Sequence, residues 1–257
     1  MKRVTMFKQP QPTTILFSLG LLGVISMLPV IPKLMALQPE PPPFPIEILQ
    51  LISVLQSSLF LLLMIVLGKV FSEKVGLKSP VILAMTNSTA MFKELRPQIV
   101  PALLGGVLGG ALLLIISFAS YSYLPAEFIV AGEKLALPWY TKILYGGITE
   151  ELLIRWGLMS TLVWIIYRVT QTQGEVIKAH NYILAIALSA LLFGAGHLPI
   201  AFALSPQISL LLICYIVLAN AIFGFIAGYL YWKRGLECAI AAHIVAHLTM
   251  MFGIAIS

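Results

Sequence analysis

Seven apolar runs, each long enough to cross a bilayer, dominate this chain and restrict it to a helical membrane architecture. At 1.5 Å of rise per residue, about 20 residues cover ~30 Å of hydrocarbon, and within that layer a helix satisfies its own backbone hydrogen bonds. The runs fall near residues 13–35, 47–70, 98–120, 139–167, 181–203, 206–232 and 236–257. The predicted fold is all-α: one polytopic membrane domain over residues 1–257, with seven spans, or eight if the segment after the second run also enters the membrane. That segment, Ser79-Pro80-Val81-Ile82-Leu83-Ala84-Met85, is too short to span alone and reads as a re-entrant or interfacial helix. Of the 257 residues 60% are apolar and only 10% charged, which excludes a soluble domain of this length.

The basic residues set an orientation. With the N-terminus in the cytoplasm, twelve of the 16 lysines and arginines fall on the inner side, from Lys2, Arg3 and Lys8 to Lys233 and Arg234. Only Lys33, Lys134 and Lys142 fall outside, and Arg155 lies within a span. The net charge of +6 thus reflects membrane topology and attraction to anionic headgroups; no basic patch is interleaved with aromatics, so nucleic acid is not a predicted partner. The basic start leads into an apolar run without a small-x-small cleavage site and reads as an uncleaved anchor in a multi-pass cell-membrane protein. Glycine pairs such as Gly105-Gly106 and Gly109-Gly110 mark places where helices approach closely. The fourth run is long enough to be tilted or broken, and Gly146-Gly147 is the predicted break.

Chemistry is confined to the second half of the chain. Gly146-Gly147-Ile148-Thr149-Glu150-Glu151-Leu152-Leu153-Ile154-Arg155 puts two carboxylates and a guanidinium inside a span, where each costs roughly 2.5–3.5 kcal/mol to insert. Glu151 and Arg155 are four apart with the acid N-terminal, the favoured arrangement for an ion pair. Glu150 points about 100° away and has no local partner, and a partly desolvated carboxylate beside a like charge suits a general base. Phe193 precedes His197 by one turn, and His243 and His247 share one helical face. Counting rise along each helix brings Glu150, His197, His243 and His247 to the central-to-outer part of the bilayer, where one polar cavity between the fourth, fifth and seventh helices can hold all four.

At these residues the chain resembles the CPBP family of intramembrane proteases, also called the ABI family, which groups prenyl-protein (CAAX) endopeptidases with bacteriocin-processing and immunity enzymes. The family pattern runs E-E-x-x-x-R, then F-x-x-x-H, then H-x-x-x-N or D. The first matches at Glu150, Glu151 and Arg155, the second at Phe193 and His197, and the third at His243, with His247 where the family has Asn or Asp. The resemblance covers about residues 139–250. It implies an endopeptidase in which Glu150 and His197 activate a water, His243 and its i+4 partner stabilise the oxyanion, and Glu151, Arg155 and Phe193 support the site. It implies a peptide or protein substrate, lipid-modified or membrane-anchored, and no cofactor.

Replacing Asn by His247 opens an alternative, because Glu150, His197, His243 and His247 together make a donor set compatible with catalytic zinc. Two other readings compete at the level of function. A proton- or ion-coupled transporter would use buried Glu and His as a relay, though the chain shows no repeat symmetry. A non-catalytic scaffold or immunity protein would keep the helices without the reaction.

Overall fold

The computed structural model describes residues 11–87 and 90–256, so the basic start at Lys2, Arg3 and Lys8 lies outside the described residues. Seven helices long and apolar enough to cross a membrane run over Pro12–Ala36, Ile46–Phe71, Met91–Tyr123, Trp139–Thr170, Ala179–Leu204, Leu210–Arg234 and Leu236–Ile256. The protein is a multi-pass all-α membrane protein, with no strand among the described residues. The Pro80–Thr86 segment is a short helix. It is pinned to the start of the seventh span: Glu237 accepts from the Ser79 hydroxyl at 2.6 Å and the Ile82 amide at 2.9 Å, and the Leu236 amide donates to the Lys78 carbonyl at 3.0 Å.

Local chemistry explains three departures from uniform helix. The first span stops at Ser26 and restarts at Val30, across a turn that contains Pro29, which has no amide to continue the ladder. The fifth pauses at His197, which ends one helix at Gly196 and precedes another from Leu198 to Leu204, with Pro199 in its first turn. The fourth does not break at Gly146-Gly147. It widens instead into π-helical turns over Lys142–Thr149 and again over Leu152–Met159, a form often seen at functional sites.

Both glycines serve packing. Any Cβ at Gly146 would collide with His247 Nε2, and one at Gly147 would lie 2.5 Å from the Ile244 side chain, so this pair lets the seventh span lie against the fourth. The same logic governs the third span, where a Cβ at Gly106 or Gly110 would stand 2.6 or 2.7 Å from the Ala242 or Ala246 carbonyl oxygen. The sequence-predicted close approach at 105–110 is therefore made on two sides, by Gly106 and Gly110 to the seventh helix, which carries two of the histidines, and by Gly105 and Gly109 to Leu230 and Phe223 of the sixth. Leu61, Ile65, Leu152, Met159, Phe223 and Tyr231 form the buried core between spans.

Candidate active site

Successive spans alternate in direction, so the ends of the first, third and fifth helices, the starts of the fourth and sixth, and the end of the seventh share one face. On that face Val30, Leu135 and Leu204 come together in a small apolar cluster with Phe128 from the helix Ala126–Leu135. Nearby lies a cavity of about 540 Å³ lined by Lys142, Tyr145, Glu150, His197, His243 and His247 together with apolar side chains from the first, third, fifth and sixth spans. The four residues read from the sequence as catalytic candidates thus line a common space.

They are held in different ways. Glu151 and Arg155 are fully buried and Arg155 Nε lies 3.2 Å from Glu151 Oε2, the i,i+4 pair expected from spacing. Arg155 also donates from Nη2 to the Gly224 carbonyl at 3.2 Å, and its guanidinium lies 5.0 Å over the Phe193 ring. The sequence did not reveal that the other oxygen of Glu151 accepts from His243 Nδ1 at 2.7 Å. One carboxylate therefore anchors both the arginine of its own helix and the histidine of the seventh, and the ion pair becomes a three-helix tie.

Glu150 and His197 remain partly open, with side-chain exposures of 17% and 30% and Glu150 Oε1 standing 3.9 Å from His197 Nε2. That separation is too long for a direct hydrogen bond and suits a water held by both groups. His197 Nδ1 lies 2.8 Å from the Phe193 carbonyl oxygen, which can only accept, so Nδ1 carries the proton. In the neutral ring Nε2 is then an acceptor. Phe193 meets the ring edge-on at 4.8 Å and 87°, which fixes its plane as well as its tautomer. Two acceptors, a carboxylate oxygen and an imidazole nitrogen, face one gap.

His243 and His247 stack at 4.9 Å with ring planes 13° apart, and Phe223 packs 4.3 Å from His243. His247 Nε2 is buried against Gly146 without a hydrogen-bond partner. This geometry corrects the zinc alternative. Among the described residues no three His, Cys, Asp or Glu side chains converge on a point that would hold a metal ion. His243 Nδ1 and His197 Nδ1 are engaged by Glu151 and a backbone carbonyl, and the remaining donors of Glu150, His197, His243 and His247 are not gathered into a ligand set. Counting donors had taken no account of their directions.

Sequence reasoning missed Tyr145, Asn220 and Phe223 as cavity residues and read Lys142 only as a topological charge. Asn220 was detectable as an amide in an apolar run; the others needed the packed helices. Residues 132–249 match the sequence profile of the family described as Rce1-like, type II CAAX prenyl endopeptidase. No curated protein and no solved structure shows a significant match to the chain. The matched segment contains every one of the motif residues, from Glu150 to His247.

Proposed function

We propose that this protein is an intramembrane endopeptidase that hydrolyses a peptide bond with a water activated by Glu150 and His197. The observation that carries the proposal is the pair of acceptors 3.9 Å apart, facing a cavity within the membrane-spanning bundle. The match to a prenyl endopeptidase family over residues 132–249 supports enzymatic activity of this general kind.

The reaction follows from the donors and acceptors. A water hydrogen-bonded to both Glu150 and His197 gives one proton to the Glu150 carboxylate as its oxygen attacks the substrate carbonyl carbon, while its second O–H stays on the oxygen and donates to His197 Nε2. The attack produces a tetrahedral intermediate whose oxygen carries negative charge. The donors to that oxygen are His243, from Nε2, and His247, from its remaining ring nitrogen. As the C–N bond breaks, the proton held by Glu150 passes to the leaving amine. Water ends as a hydroxyl on the new carboxyl group, and the charge count returns to its starting value. Glu151, Arg155 and Phe193 act as positioning residues, through His243 and His197.

With the N-terminus in the cytoplasm, the cavity face is the outer one, and the substrate is a peptide or protein anchored at that surface. Purified protein in detergent should cleave an internally quenched apolar reporter peptide. Glu150→Gln and His197→Ala should each abolish most of that cleavage while leaving the thermal unfolding profile close to the parent's. Cleavage indifferent to both substitutions would overturn the reading.

A further inference from the structure

Tyr145 stands on the cavity wall with Glu150 and the two stacked histidines, and it takes no part in holding the water. It is half-buried, and among the described residues its hydroxyl makes no hydrogen bond. Of the nine tyrosines, four hydrogen-bond through their hydroxyls and four are exposed, so Tyr145 alone combines an enclosed ring with an unpaired hydroxyl. An enclosed phenol normally finds a partner, and one without is free to meet a molecule that enters.

The widened helix puts this side chain beside the base. In an α-helix residues five apart point about 140° away from each other. Over Lys142–Thr149 the turn is π-helical and the Glu150 amide donates to the Tyr145 carbonyl, which brings the two residues to one face. The phenol is close enough to interact with the Glu150 charge. Thr141 and Thr149 each donate at 2.8 Å to carbonyls of the first span, at Ser26 and Gly20, so the wide turn is fixed at both ends. On its other side Tyr145 adjoins Gly146, which packs against the His247 ring. Tyr145 thus belongs to the stretch of wall between Glu150 and His247.

Hydrolysis puts negative charge on the substrate's carbonyl oxygen, and donors aimed at that charge are worth most where water is excluded. Glu151 occupies Nδ1 of His243, and Nε2 of His247 is buried in the wall, so each ring has one nitrogen left for a substrate. The geometry points to Tyr145 as a further donor to that oxygen, through a hydroxyl hydrogen bond that strengthens as the carbonyl becomes an alkoxide. Its proton stays on the phenol oxygen and no bond to the ring forms, so the proton count of the reaction is unchanged. This rests on the peptidase reading of the cavity, and on it Tyr145 is a catalytic residue.

Tyr145→Phe keeps the ring and removes only the donor. With the quenched reporter peptide in detergent it should lower kcat by about 10²–10³-fold, the loss that follows removal of one such donor, with KM changed less than about threefold. The melting curve and the pH profile of kcat/KM should keep their positions, since Glu150 and His197 are untouched. A peptide phosphonamidate, whose tetrahedral phosphorus oxyanion stands in for the intermediate, should bind the variant more weakly by a similar factor. Turnover within about threefold of the parent, a loss confined to KM, a displaced pH profile or an unchanged phosphonamidate affinity would each overturn the assignment. A native protein that cleaves no peptide would overturn the peptidase reading and this assignment with it, whereas cleavage left intact by Tyr145→Phe overturns this assignment alone.

Discussion

Glu150 and Glu151 are neighbours in the chain, yet they belong to two regions with opposite surroundings. Glu151, Arg155 and His243 form a sealed cluster, with exposures of 0%, 0% and 5%. Glu150 and His197 form an open pair on the cavity wall. In the sealed cluster each charge has a fixed partner, so its free energy goes into holding three helices together. The open pair meets across a gap, so its acceptors are available to a third molecule. Adjacent carboxylates thus divide into one sealed between helices and one open to the cavity because the helix turns about 100° between them.

The sharpest way to break this contrast is to neutralise each acid in turn. Glu150→Gln should lower kcat by about 10²–10⁴-fold, the range general-base catalysis contributes, with little change in the unfolding temperature. Glu151→Gln should instead lower stability and activity together. If both variants behaved alike in melting and turnover, the division of labour would be wrong.

Removing the cation from the sealed cluster comes next in size. Arg155→Met leaves Glu151 buried without its guanidinium and should cost about 3–5 kcal/mol, read from thermal unfolding in detergent. An unchanged melting curve would show that the cluster does not anchor the helices. A smaller effect tests the wall between the clusters. Gly146→Ala forces a methyl group into the His247 ring and should cost about 1–3 kcal/mol, most of it recovered when His247→Asn is added to the same chain. Additive costs would place the strain elsewhere. His247→Asn alone should change turnover least, by less than about tenfold, since an amide also donates to an oxyanion. A far larger loss would mean that the reaction needs the imidazole itself.

Much of this arrangement was legible in one dimension. Hydropathy located the seven spans because bilayer thickness imposes a length on each, and the cost of charge in hydrocarbon made Glu150, Glu151 and Arg155 conspicuous. The Glu151–Arg155 pair followed from helical spacing. The pause at His197 was not read from the sequence, although Pro199, which cannot donate to the preceding turn, stands beside it. The contact of Glu151 with His243 joins residues 92 positions apart and leaves no trace in local spacing. Gly146-Gly147 suggested a break because glycine weakens an isolated helix; packing against His247 and Ile244 gives it another use. Zinc was an over-reading of the same kind, since residue types were known and the directions of their nitrogens were not.

Hydrophobicity and helical periodicity are properties of short segments, so the order of residues along the chain was enough to specify an all-α membrane bundle and to mark which side chains did not belong in lipid. Which carboxylate is sealed and which is open, which nitrogen of each histidine is free, and whether Lys142 faces water or the cavity depend on which helix lies against which. Those facts arise from contacts between segments distant in sequence, where a few ångströms separate a sealed ion pair from a pair left open on a cavity wall.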